Sequence, residues 1–295
     1  MPGDRAKTVA NDRVRLHVRE WPGGGDDVLL LHGLASSSHI WDLVAPRLVR
    51  LGLHPVAYDQ RGHGRSSKPS SGYGFDRTTA DAAAVIRATG LHRPIVVGHS
   101  WGANVALELA VRRSRLVGGA VLLDGGFVTL RERFDWTTAR RTLAPPEFGG
   151  IMVDAFLRRV HRNLGRTIPI TPELDEIFRS LVRVDPNGRI WPRLSRANHL
   201  RILRALWEQD TIGLLEHIRV PTLILAARSR SGGSAAPGFE RDKAIAARRV
   251  RTIGPPVSLE WIEGIHDVPL QRPEAVARRI ARSAEAAARV RRGRS

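Results

Sequence analysis

The run Pro94-Ile95-Val96-Val97-Gly98-His99-Ser100-Trp101-Gly102-Ala103 constrains the fold of this chain more than any other stretch. Its first half is apolar and β-branched, which reads as a buried strand. Its second half is Gly-His-Ser-Trp-Gly, and Ala103, Val105, Ala106, Leu107, Leu109 and Ala110 follow at helical spacing. Strand, G-x-S-x-G, helix is the order that a nucleophile elbow requires. In such a turn Gly98 and Gly102 remove Cβ atoms where the strand end and the first helical turn nearly touch. Ser100 stands at the apex, above a helix N-terminus with unpaired N–H groups and a partial positive charge. The flanking strand and helix give the motif a specificity that the five residues alone would lack.

The chain has 295 residues, enough for one large α/β domain with an insertion. It has no cysteine, which excludes disulfides, thiolate-bound zinc and a thiol nucleophile. No run approaches transmembrane length, and Met1 to Arg5 lack the apolar core of a signal peptide, so a soluble cytoplasmic protein without a membrane partner is expected. The net charge is +18, almost all of it arginine, since the lysines are only Lys7, Lys68 and Lys243. The arginines fall on helix faces and in a tail (Arg278, Arg279, Arg282, Arg289, Arg291, Arg292, Arg294), with no recognition helix and no aromatic–basic interleaving. This reads as a solvated surface with weak polyanion adhesion at low salt rather than a specific nucleic-acid partner.

Taken in order, residues 1–7 look frayed, and Thr8 to Glu20 reads as a hairpin turning at Asn11-Asp12. Val28–Leu31 is a continuous apolar strand, as a central parallel strand should be. His32-Gly33-Leu34 follows it. A helix is expected from about Ile40 to Arg50, with Pro46 implying a kink or a later start. A short strand at Pro55–Tyr58 leads to Asp59-Gln60-Arg61-Gly62-His63-Gly64-Arg65-Ser66, where Asp59 and Arg61 can pin the turn. A helix at Thr78–Thr89 precedes the elbow strand, and Gly118–Leu123 is the next strand, ending at Asp124. From Phe127 to Gln209 the pattern turns helical, broken by Pro and Gly, and its Phe134, Trp136, Phe148, Met152, Phe156, Phe178, Trp191, Leu203 and Trp207 could line a pocket or pack a core. Strands resume at Val220–Ala227 and Val257–Ile262, with a helix at Phe239–Val250 between them and one opened by Pro273 after them. Strands alternating with helices imply a mostly parallel sheet with functional residues at the strands' carboxyl ends.

With these motifs in place, the chain resembles the α/β-hydrolase superfamily, in particular the small, capped, epoxide-hydrolase-like branch of bacterial serine hydrolases. His32-Gly33, the Asp59–Ser66 loop, the Ser100 elbow, the helical insertion and His266 in a late loop carry the resemblance along nearly the whole chain. It implies a twisted, mostly parallel sheet of about eight strands with helices on both faces. The core would comprise residues 1–126 and 211–295, and the cap residues 127–210. Relatives that open epoxides or cleave carbon–halogen bonds carry Asp at the elbow, so Ser100 points to acyl chemistry.

The resemblance also assigns roles. His266 is the candidate base for Ser100, in the chain order Ser, acid, His. The commonest site of the acid, after the strand at 222–227, reads Arg228-Ser229-Arg230-Ser231-Gly232-Gly233 and has no carboxylate. The superfamily also places the acid one strand earlier, where Asp124 stands. A dyad, or completion by Glu240 or Asp242, remains open, and the side chain of Asp267 should diverge from the base. The oxyanion hole would use the N–H groups of Leu34 and Trp101. The expected activity is hydrolysis of a small ester or lactone by a monomer or homodimer, with no metal or organic cofactor. The competing readings are a lyase, a cyclase or a ligand-binding receptor on the same fold.

Overall fold

The computed structural model describes residues 4–229 and 238–293. The first half of the chain contributes β1 (Arg5–Asn11), β2 (Val14–Glu20), β3 (Asp27–Leu31), α1 (Ala45–Arg50), β4 (His54–Tyr58), α2 (Phe75–Thr89), β5 (Ile95–His99), α3 (Trp101–Arg112) and β6 (Gly119–Leu123). Then come α4 (Trp136–Thr142), α5 (Val153–Leu164), α6 (Pro172–Ser180), β7 (Val182–Val184), β8 (Ile190–Pro192), α7 (Arg196–Glu208) and α8 (Thr211–Glu216). The chain ends with β9 (Thr222–Arg228), α9 (Phe239–Ile253), β10 (Val257–Glu263), α10 (Val268–Gln271) and α11 (Pro273–Arg292). Among the described residues, eight strands form one sheet in the order β1-β2-β4-β3-β5-β6-β9-β10, antiparallel only where β2 meets β1 and β4.

The alternation of side chains along the central strands sorts the core onto two faces. Leu29, Leu31, Val96, Leu122 and Ile224 pack against α2, α3, α8 and α9. Val28, Leu30, Val97, Val121 and Leu225 pack against α1, α10 and α11. Both faces are covered, so the central strands carry continuous apolar runs, such as residues 28–31 and 223–227, instead of alternating with polar residues. Among the described residues no helix is long and apolar enough to cross a membrane.

Three expectations need correction. The chain is not frayed to residue 7, because Arg5, Ala6 and Lys7 pair with Glu20, Arg19 and Val18, and the Lys7 ammonium meets Glu20 at 2.7 Å. The Ile40–Arg50 helix is a 3-10 turn at Ser38–Trp41 followed by α1, which starts at Ala45 because Pro46 is tolerated only in a first helical turn. The segment between β6 and β9 is not all helical, since β7 and β8 form a small antiparallel hairpin around Asp185–Gly188. Asp185 accepts the N–H groups of Asn187 and Arg189, and Gly188 takes the left-handed conformation. An Asn-Gly pair between short apolar runs is a hairpin signal.

The Asp59–Ser66 loop is tied down from within. Asp59 accepts the N–H of Ser38 and the N–H of Arg65, both at 2.8 Å. Arg61 makes a two-pronged ion pair with Asp81 on α2, at 2.6 and 2.8 Å, with both side chains buried. Breaking a buried pair from one side leaves a charge without compensation. Arg61→Met should therefore cost about 3–5 kcal/mol in chemical denaturation. A loss under 1 kcal/mol would show that the loop is held by something else.

Candidate active site

The site lies at the carboxyl ends of β5, β6 and β10. The sheet itself sets its spacing: the Ser100 N–H donates to the Leu123 carbonyl at 2.9 Å, and the Asp124 N–H donates to the Leu225 carbonyl at 3.0 Å. Ser100 has φ 54° and ψ −122°, and Asp124 has φ 46°, both unusual for residues that carry a Cβ. Such conformations persist only where the surroundings over-determine them. At the elbow they do. A Cβ on Gly98 would overlap the Gly102 backbone, and one on Gly102 would overlap the Leu31 and His32 carbonyls.

Ser100, His266 and Asp124 are brought together in one line. The Ser100 Oγ is 2.9 Å from His266 Nε2, and His266 Nδ1 is 2.7 Å from Asp124 Oδ2. The carboxylate accepts a hydrogen bond from Nδ1–H, which leaves the Nε2 lone pair facing the serine hydroxyl. Asp124 is 4% exposed, while the His266 side chain keeps 45% of its surface open. The other oxygen of Asp124 accepts the Ala227 N–H at 2.9 Å and the Lys243 ammonium at 3.3 Å. Burial opposes the charge on Asp124, but His266, Lys243 and the Ala227 N–H outweigh it and hold its pKa below the usual carboxylate range. Burial also opposes the imidazolium of His266. The hydrogen bond and charge of Asp124, aided by Asp267, overcome this and raise the His266 pKa, while Lys243 pulls it back.

Glu240 and Asp242, the alternative acids, face elsewhere. Glu240 pairs with Lys243 at 2.9 Å, and Asp242 pairs with Arg133. Of the loop after β9, Arg230 to Gly233 lie outside the described residues.

The His32-Gly33-Leu34 turn lies against the elbow, since a Cβ on Gly33 would stand 3.1 Å from the Ser100 Cβ. Neither the Leu34 nor the Trp101 N–H has a protein acceptor among the described residues. His32, fully buried, holds this turn: its Nδ1–H donates to the Gly33 carbonyl at 2.7 Å, and its Nε2 accepts the Gln60 N–H at 2.9 Å.

Several contributors escape a reading of the sequence. His63 accepts the Ala35 N–H on Nε2 at 3.2 Å and stacks on Trp101 at 5.2 Å. Burial, then repulsion from His32, keeps it neutral with a pKa well below the ordinary value. His99 donates from Nε2 to the His266 carbonyl at 2.8 Å, and burial, then repulsion from His266, lowers its pKa to about 4. It therefore holds the loop that carries the imidazole. No local motif marks Lys243, which reaches Asp124, or the pocket residues Asn104 and His199.

Beside Ser100 lies a cavity of about 330 Å³. Leu34, Trp101, Phe127, Leu143, Leu203 and Phe239 give it an apolar wall, and Ser100, Asn104, Asp124, His199 and His266 are its polar points. Among the insertion residues named above as possible lining, only Leu203 reaches it among the described residues. Trp136 packs at a tilt against Trp207 and Phe148 stacks on Phe156, whereas Met152 and Trp191 are exposed.

Residues 27–162 match the family model described as alpha/beta hydrolase fold. A 2-(acetamidomethylene)succinate hydrolase of Mesorhizobium japonicum is 31% identical over 246 residues, which cover 79% of this chain and 84% of that one. Lipase LipV of Mycobacterium tuberculosis is 30% identical over 90% of this chain and 95% of its own. Among solved structures, that of E-2-(acetamidomethylene)succinate hydrolase superposes with a TM-score of 0.73 at 24% identity, covering 96% of this chain and 99% of that one, a likeness of fold. The chain belongs to the alpha/beta hydrolase family, and hydrolysis is the activity that its relatives support.

Proposed function

We propose that this protein is a serine hydrolase that cleaves a small, neutral carboxylic ester or lactone through an acyl-enzyme on Ser100. The observation that carries this reading is the unbroken line from Asp124 through His266 to Ser100, at 2.7 and 2.9 Å. His266 Nε2 takes the hydroxyl proton as Oγ attacks the substrate carbonyl. The tetrahedral oxyanion is held by the Leu34 and Trp101 N–H groups, donors worth on the order of 3 kcal/mol each in a transition state. His266 returns the proton to the departing alkoxide, and the acyl group stays on Ser100. Water then attacks the acyl-enzyme, again giving its proton to His266, and the acid leaves as Ser100 recovers its hydrogen. These steps use side chains and backbone N–H groups of this chain, and water.

Residues 127–210 serve as the cap of the site, with Leu143, His199, Leu203 and Leu206 supplying one wall of the cavity. Apolar walls and the Asp124 carboxylate favour a neutral acyl group, because a second carboxylate would lose its water against leucine and phenylalanine. The Mesorhizobium relative acts on a succinate derivative, so the two proteins would differ in substrate charge. The contact of Asp124 with His266 at 2.7 Å supports the hydrolase reading over a lyase, cyclase or receptor, although the loop after β9 opens without a carboxylate.

Nitrophenyl esters test the reading. Turnover by the wild type, lost in His266→Ala, is the expected result. Turnover that survives His266→Ala, or a wild type inert to esters and lactones, overturns it. Within the series from acetate to butyrate, kcat/KM should rise about fourfold per methylene, the equivalent of about 0.8 kcal/mol. A hemisuccinate ester should fall at least about tenfold below the butyrate. A hemisuccinate preferred over the butyrate would contradict the neutral-substrate assignment.

A further inference from the structure

Only three of the 47 basic residues are lysines, and one of them, Lys243 on α9, is buried to 3% exposure behind the candidate site. Its ammonium meets three oxygens: the Ala227 carbonyl at 2.5 Å, the Glu240 carboxylate at 2.9 Å and Asp124 Oδ1 at 3.3 Å. An ammonium has three protons, so each oxygen can receive one. The arrangement joins the end of β9, the turn after β6 and the first turn of α9 at one point. The Ala227 N–H and the Lys243 ammonium occupy Asp124 Oδ1, which leaves Oδ2 as the oxygen that faces His266.

We propose that Lys243 is a positioning residue that orients Asp124 and balances its charge from the oxygen that faces away from His266, so that the imidazole is free to act as a base. This rests on the serine hydrolase reading. A buried aspartate alone beside an imidazole would hold the proton on the ring and delay base catalysis to higher pH. A fixed cation on the far oxygen offsets part of that charge. Lysine suits the place because it is a compact point charge with rotatable donors, whereas the planar fork of arginine would need more room.

Among the described residues, the other charged or titratable groups around His266 are accounted for. Asp267 adjoins it on the same loop and favours the imidazolium. His99 faces it from the elbow at 4.9 Å between ring centroids and is neutral. His199 lies across the cavity, its Nε2–H given to the Leu143 carbonyl. Asp242 on α9 is bound to Arg133. Glu240 is half-exposed and partly neutralises Lys243. It therefore acts on His266 in the opposite sense to the lysine.

The test uses two variants and two readouts. Lys243→Met should move the ascending limb of kcat/KM against pH upward by about 0.5–1 pH unit. Glu240→Gln should move it downward by about 0.2–0.4 unit. His266 is also titrated directly by NMR of histidines labelled at Cε1, its signal identified by its absence in His266→Asn. Opposite shifts of that titration in the two variants support the assignment. A merely structural lysine would lower activity at every pH and leave the His266 titration unmoved, which overturns it. If Lys243→Met does not fold, Glu240→Gln decides alone, and an unshifted titration overturns the proposal. Titrations that shift as stated in a protein without ester turnover would sink the hydrolase reading and leave the electrostatic role of Lys243 standing.

Discussion

Ser100→Ala is expected to lower kcat/KM for a neutral nitrophenyl ester by about 10⁶-fold while the protein stays folded. The loss is large because the members of such a constellation act as a unit: without Oγ, the imidazole and the N–H donors have nothing to activate. The fold should survive because the hydroxyl's hydrogen bond is to His266, in a cavity, and supports no core element. Alanine inherits the strained backbone at φ 54° and ψ −122°, so its melting temperature should stay close to that of the wild type. Ser100→Gly removes the Cβ from that conformation and should be at least as stable, by up to about 1 kcal/mol. Circular dichroism melts and ester turnover on the same samples check both parts. A variant that unfolds, or one that keeps more than a hundredth of the activity, contradicts the assignment.

Asp124→Asn should cost about 10⁴-fold in kcat with the shape of the site retained. The asparagine oxygen would keep the Ala227 N–H and Lys243, so its amide nitrogen would face His266 Nδ1. A donor there calls for the tautomer with the proton on Nε2, which cannot accept from the Ser100 hydroxyl. Lys243 also loses its buried countercharge, which should lower stability by about 1–3 kcal/mol. The pH dependence has a defined sign. Asp124 has a lowered pKa in the fold, so its stabilisation is present above the unfolded value and is lost as pH falls through the folded one. His266 has a raised pKa, so its contribution is present below the unfolded value and is lost as pH rises through the folded one. The stability gap between wild type and Asp124→Asn should be widest between these two limits. A gap that does not change with pH would mean that the pair is not the source of the difference.

The central fold is legible because its strands are short apolar runs that end in residues a buried strand cannot hold: His32, Asp59, Ser100 and Asp124. The elbow is legible because two glycines at fixed spacing are a steric requirement, and the segments on either side state strand and helix on their own. His266 and Asp124 are legible only through chain order and resemblance, since neither stands in a local motif. The line of side chains they form with Ser100 depends on a sheet register that brings residues 100, 124 and 266 side by side.

What is not legible follows from contacts between distant segments. Lys243 looks like one more charge on a basic helix until α9 is placed against the turn after β6. His63 looks like part of a glycine-rich loop until Trp101 comes to lie on its ring. The partner of Arg61 is Asp81, twenty residues on, rather than an acid within its own loop. The insertion was the least legible part. Its aromatics are spread over a helical pattern that does not say which face meets the cavity, and most of them pack on one another or face outward. The β7–β8 hairpin shows only through its Asn187-Gly188 turn, because strands of three residues are too short to show a period.

The most direct measurement is mass spectrometry of the protein after reaction with a fluorophosphonate, which modifies an activated serine and reports the residue. The account predicts one adduct, on the peptide containing Ser100, absent in Ser100→Ala and formed far more slowly in His266→Ala. An adduct on a different hydroxyl, or labelling undiminished in Ser100→Ala, would contradict it.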